Sequence, residues 1–304
     1  MEDELKDFPR KGKAVNEGES YGLQLAKFLE ILKEEEDSDV DLSQLREAAR
    51  VGIPSRVRGQ VWKLLLGVIS AGEGKDSSLK LNSTAEQQEP NTIKTITDDV
   101  AAFVKKHEKL RQKALKVRMG GLICMYMASR PKLGYRPGML AMLGVCVHAC
   151  ENQSDIYAVF SRIHDLGSGT MRPRPIVEQI SSFLALFRQF LPSLSKRFTN
   201  EDLSPNKWAL QWLQNLLACS LPLECTLRAW DTYLSEKDGW NLHKYVCLAI
   251  LAICEEDLQE LDLEELEWYL RHLPVLDMDK VMLKARNIRS VANKPGRTSR
   301  MGDI

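Results

Sequence analysis

Arginines, one tyrosine and a few carboxylates are the residues of this chain whose types and spacing offer chemistry. Arg111, Arg118, Arg130 and Arg136 fall in one region, with Tyr135 beside the last, where a guanidinium could meet an anion. A solvated surface arginine is the ordinary alternative for each. No Ser-His-Asp grouping or carboxylate pair emerges, and Gly120-Gly121 lacks the Lys-Ser/Thr of a phosphate loop. Cys146 and Cys150 lie one helical turn apart and could form half of a metal site, but no second pair of ligands follows at suitable spacing. The 7 cysteines are odd in number and scattered through apolar segments, so they read as reduced core thiols. Neither a metal nor a cofactor is implied.

The elements that must position these groups are helices. Around Gly52-Ile53-Pro54 one helix ends, since Gly52 can take positive φ and Pro54 lacks an amide donor. Ser55 is placed to cap the next helix, whose Val57, Val61, Leu64, Leu65 and Val68 form one stripe flanked by Trp62. Asp41 is placed to cap the preceding helix of Leu42, Leu45 and Ala49, after an acidic run at Glu34-Glu35-Glu36-Asp37 that reads as a solvated turn. Residues 71–91 are polar and read as a surface loop. Helical character resumes over Ile96–Leu122, and Pro137 suits the first turn of a helix carrying Met139, Met142, Leu143, Cys146 and Val147. After Ile156–Leu166, the GSGTMRPRP stretch at 167–175 marks a break. Helical patterns follow over Ile176–Phe190, Trp208–Leu217, Leu223–Leu234, Leu242–Ile253 and Glu264–Leu270. No segment alternates with period two, so the expected class is all-α.

At 304 residues, with 44% hydrophobic and 28% charged residues, the chain can bury a sizeable core. Its formal net charge is zero, which gives no global reason to expect nucleic acid as a partner. The apolar runs are too short or interrupted to span a bilayer, and the N-terminus lacks the apolar region of a signal peptide, so the expected location is the cytoplasm. Residues 1–40 read as a charged arm with a short amphipathic helix. The basic tail, Lys284–Arg300 with Arg286 and Arg289, could meet a membrane surface or an acidic partner.

The string Arg50, Gly52-Ile53-Pro54, Arg58-Gly59, Val61-Trp62, Leu65 and Gly67 resembles the opening motif of the TBC domain. Trp208, Trp212, Leu221-Pro222 and Trp230-Asp231 look like that family's later aromatic helix and Trp-Asp pair. The resemblance implies a two-lobed all-helical TBC fold over residues 41–290, with lobes of about 41–166 and 176–290, followed by a basic tail at 291–304. It also implies a role in regulating Rab-type small GTPases. Active members supply an arginine from an Ile-x-x-Asp-x-x-Arg motif and a glutamine from Tyr-x-Gln-Gly-Met. The arginine spreads charge over the departing γ-phosphate, and the glutamine orients the attacking water.

Here the first motif aligns with Ile96 and Asp99 and puts Ala102 at the arginine position. The second aligns with Tyr135, Gly138 and Met139 and puts Pro137 at the glutamine position. The expectation is therefore a TBC protein without catalytic residues that binds a partner, with Tyr135 and Arg136 as candidate contacts. The partner would be a Rab-type GTPase or a coiled-coil scaffold subunit, the latter on a narrower resemblance to the TBC subunit of the tuberous sclerosis complex. The alternative is a GTPase-activating protein that uses an unconventional arginine. Arg50, Gly52, Ile53, Pro54, Arg58, Gly59, Trp62, Trp230 and Asp231 could face a GTPase or hold helices together.

Overall fold

The computed structural model describes residues 17–33, 40–68, 89–107, 111–112, 118–130, 132–167 and 175–293. Fifteen α-helices and no strand occur among them, an all-α body. The acidic run at 34–37, most of the polar loop, residues 108–110 and 113–117 of the expected 96–122 helix, and nearly all of the 167–175 break lie outside the described residues.

Helices α1 (Glu17–Lys33), α2 (Leu42–Ala49) and α3 (Ser55–Leu66) open the fold. Phe28, Ile31 and Leu32 make α1 one-sided, and its Gln24 Nε2 donates to the Gly52 carbonyl at 2.8 Å, docking α1 on the α2–α3 turn. Asp41 caps α2 by accepting from the amides of Ser43 at 2.7 Å and Gln44 at 3.2 Å. The turn uses Gly52 at φ 106°, outside the range of L side chains. Ser55 does not cap α3: Pro54 holds the N-cap position with no side-chain bond, and Ser55 is already helical, with its Oγ 3.3 Å from the Tyr21 hydroxyl.

Then come α4 (Pro90–Lys106), α5 (Met119–Ala128), α6 (Gly138–Ala149) and α7 (Gln153–Gly167). The expected polar loop ends early, because Pro90 occupies the first turn of α4. The expected helix over 96–122 is interrupted: α4 stops at Lys106, and Arg118 adopts φ 50° ahead of α5. Pro137 is the N-cap of α6. That helix is apolar on most sides and its interior positions from Met139 to Val147 are nearly all buried, as expected of a central helix.

The second half holds α8 (Ile176–Phe190), α9 (Pro192–Asn200), α10 (Pro205–Gln214), α11 (Leu223–Ser235), α12 (Gly239–Ile253), α13 (Glu255–Glu260), α14 (Leu263–Arg271) and α15 (Met278–Ala292). Pro192 and Pro205 start their helices, and Pro222 precedes α11, so the prolines delimit rather than break. The basic tail is corrected here: through Ala292 it is helix α15, capped by Asp277 and buried at Val281, Met282 and Ala285. Arg286 and Arg289 both pair with Glu236, at 3.0 and 3.1 Å.

Tryptophans from distant parts of the sequence meet in the core. Trp62 and Trp230 are wholly buried with ring centroids 5.9 Å apart, and Trp212 donates from Nε1 to the Leu270 carbonyl at 2.9 Å. Each such ring removes about 150–250 Å² from water, roughly 4–6 kcal/mol before ordering entropy is subtracted. A second aromatic cluster gathers Phe183, Phe187 and Phe198 edge-on around Trp208.

Candidate functional site

The motifs of the sequence part into two structural groups. The first is a brace between α3 and α11. Asp231 is fully buried and accepts from Ile53 N at 3.0 Å, Trp62 Nε1 at 2.7 Å and Arg58 Nε at 3.2 Å. Arg58 also donates from Nη2 to the Ile53 carbonyl at 2.6 Å. Burial pushes the Asp231 carboxyl above its ordinary pKa, while the Arg58 charge and the bonds from Trp62 and Ile53 pull it back. All of these partners donate, so the geometry is built for a carboxylate. Arg228, from the same helix as Asp231, donates to the Arg50 carbonyl at 3.0 Å, and Trp230 donates to the Leu216 carbonyl at 3.1 Å. Gly59 lies against the Ala149 carbonyl at the end of α6. The Arg50 side chain stays outside this brace and pairs with Glu47 at 2.8 Å on the surface. With that exception, the opening motif and the Trp-Asp pair hold helices together.

The second group is the pair of degenerate motifs. Helix α4 carries Asp99 and Ala102, three residues apart and so on neighbouring positions of one face. The loop before α6 carries Tyr135, Arg136 and Pro137. Tyr135 donates its hydroxyl to Asp99 Oδ2 at 2.7 Å, which brings the two segments together. Burial first, then the bond to Asp99, pushes the Tyr135 pKa far up, so the phenol stays a donor. Ala102 and Pro137 are both exposed, one on each segment. Met139 is buried, and a Cβ on Gly138 would run into the Asn215 amide at the end of α10, so a larger residue there would force Asn215 to move.

Arg136 turns inward. Its Nη2 lies 3.3 Å from His164 Nε2, and its Nε is buried with no hydrogen-bond partner. Burial lowers its pKa from the ordinary arginine value. His164 is itself buried and lowered to about 4, by burial and then by the neighbouring Arg136 charge. A neutral ring with its proton on Nδ1 fits every neighbour: Nδ1 lies 2.7 Å from the Tyr126 hydroxyl, which donates to Asp165 Oδ1 at 2.6 Å, while Nε2 faces the Arg136 donor. Arg130 closes the chain by donating from Nε to Asp165 Oδ1 at 2.9 Å and from Nη2 to Oδ2, with its guanidinium carbon 4.0 Å from the Tyr126 ring centre. Sequence reasoning missed this relay. Its only local sign is the adjacent His164-Asp165 pair, whose partners lie 28–39 residues away. Arg111 and Arg118 are exposed.

The face is therefore framed by a satisfied phenol–carboxylate bond, a methyl group and a proline ring, none of which leaves a donor for an anion. Among the described residues no group of three or more His, Cys, Asp or Glu is placed to hold a metal ion. All 7 cysteines are free, and only Cys219 is less than fully buried. No helix is long and apolar enough to cross a membrane among the described residues.

An all-helical body cross-braced through a buried Arg–Asp–Trp junction is the build of a TBC-type domain. The chain belongs to that family: the model described as the Rab-GTPase-TBC domain matches residues 55–259. TBC1 domain family member 22A of Homo sapiens is 24% identical over 298 residues, covering 84% of this chain and 57% of that protein. GTPase-activating protein gyp1 of Schizosaccharomyces pombe is 25% identical over 286 residues, covering 78% of this chain and 55% of that protein. The chain thus spans little more than half the length of these relatives. In fold it is similar to the crystal structure of the Ypt/Rab-GAP domain of Gyp1p, with TM-score 0.69 and 20% identity over 89% of this chain and 98% of that one. The flagellar RabGAP TBC domain of Chlamydomonas gives TM-score 0.68 at 21% identity, over 93% of this chain and 98% of that one.

Proposed function

We propose that this chain acts in small-GTPase regulation by binding, as a TBC domain without catalytic side chains. The observation that carries this reading is the pairing of Tyr135 with Asp99, which sets exposed Ala102 and exposed Pro137 on the two segments where the family's arginine and glutamine are expected. A departing γ-phosphate needs a cation, and the attacking water needs an orienting amide; a methyl group and a pyrrolidine ring supply neither. An arginine at such a site is worth about three to five decades of rate, roughly 4–7 kcal/mol. The arginines nearest in sequence to Pro137 are already engaged, Arg136 with His164 and Arg130 with Asp165. Similarity to the fission-yeast GTPase-activating protein gyp1 and to the Ypt/Rab-GAP domain of Gyp1p supports a Rab-type GTPase as partner. A coiled-coil scaffold subunit of the tuberous sclerosis type is the other partner class, and buried free cysteines support work in the cytoplasm.

A second reading, a Rab GTPase-activating protein with an unconventional arginine, draws on exposed Arg118 at the left-handed start of α5. Pull-down of a Rab panel loaded with GTP analogue or GDP, paired with single-turnover GTP hydrolysis, separates the two. Binding without acceleration supports the proposal. Acceleration that disappears in Arg118→Ala or Arg136→Ala supports the second reading.

A further inference from the structure

On elements that take no part in the Ala102–Pro137 face, a cleft of about 1120 Å³ opens between α2, the α11–α12 junction and α15. Its walls are charged and strongly asymmetric in sign. Arg46 and Arg50 project from one face of α2, Lys237 and Lys244 from the junction and α12, and Arg286 and Arg289 from one face of α15. Against these six cations stand three carboxylates, Glu47, Glu236 and Asp238, in a chain whose formal net charge is zero.

The acids do not satisfy the floor of this cleft. Glu236 already serves two guanidinium groups, Arg286 and Arg289, and Arg286 Nη2 is buried with no acceptor at all. Two half-buried arginines on one carboxylate leave a positive surplus, and a buried guanidinium nitrogen without a partner costs stability. Arg46 is held by a bond from Nη1 to the Leu234 carbonyl at 2.9 Å, which fixes the guanidinium at the rim. The N-terminus of α12 opens at Asp238 in the same wall and adds the partial positive charge of its first turn.

We infer that this cleft is a binding site for a compact polyphosphorylated ligand of the inositol-phosphate type. Arginine forks on two opposing helices suit phosphate oxygens, and cations on three sides suit phosphates projecting in several directions. The volume lies just above the usual range of small-ligand sites, and its charged walls favour a polar occupant. The same chemistry comes from two sources: a phosphoinositide headgroup in a membrane or a free inositol polyphosphate.

The test uses the full chain near physiological salt. Inositol 1,4,5-trisphosphate is titrated by calorimetry, and phosphatidylcholine vesicles with and without phosphatidylinositol 4,5-bisphosphate are tested by co-sedimentation. The charge reversal Arg50→Glu with Lys237→Glu alters two exposed side chains, and Lys237→Ala is a milder second variant. Saturable headgroup binding that weakens about tenfold or more in the double variant, at unchanged melting temperature, is the expected result. Recruitment to the phosphoinositide vesicles assigns the membrane source, whereas headgroup binding without recruitment assigns the free one. No saturable binding to either probe, or equal binding by folded variants, overturns the inference.

Discussion

Tyr135 donates its phenolic proton to Asp99 at 2.7 Å, and this one bond ties the segment bearing Ala102 to the segment bearing Pro137. The two residues are 36 positions apart, so the bond sets tertiary geometry rather than local structure. It also spends the phenol and the carboxylate on each other, which leaves less polarity for a bound nucleotide.

Tyr135→Phe keeps the ring and removes the donor. It should destabilise the fold by about 0.5–1.5 kcal/mol in urea unfolding, and Asp99→Asn on the Phe background should add little. Fully additive losses would show that the bond is not made in solution.

The Asp231 brace should matter more. Asp231→Ala strands Arg58, the Trp62 indole and the Ile53 amide in a buried place, and should cost about 3–5 kcal/mol. Trp62→Phe removes one donor from an Asp231 oxygen that keeps Arg58 Nε and leaves part of the buried indole volume empty, so it should cost less than Asp231→Ala, about 1–3 kcal/mol. Equal losses by chemical denaturation would contradict the assignment of Asp231 as the hub.

How much of this could be read beforehand depends on the range of the interaction. Asp41 capping α2, the glycine turn at 52 and the helix starts near Pro192, Pro205 and Pro222 are local, and their residue types carry the information. Ser55 misled because Pro54 already supplies the extended cap conformation. Helix α15 was hidden by its own surface: lysine and arginine dilute the buried Val281, Met282 and Ala285, so a docked helix read as a basic tail. The motif words named the members of the Asp231 brace but not their bonds, which span 169–178 residues. Arg130 and Arg136 looked like free cations because the His164-Asp165 pair that holds them sits on another helix.

That pair gives a pH prediction. His164 is lowered to about 4 in the fold from an ordinary value of 6.5, so between these limits the unfolded chain takes up a proton that the native chain refuses. Stability therefore falls as pH drops from about 6.5 to about 4, by up to about 3 kcal/mol. His164→Gln cannot titrate, so its unfolding free energy should be flatter across that window than the wild type's. An unchanged slope would mean that His164 is not the group responsible.

The central claim is that the chain binds without catalysing because two side chains are missing. The most direct measurement is single-turnover GTP hydrolysis by a Rab panel with the wild-type chain beside Ala102→Arg with Pro137→Gln. The wild type should leave the intrinsic rate unchanged, and the double substitution should raise it by up to about three to five decades for a Rab the chain engages. Acceleration by the unaltered chain would contradict the account.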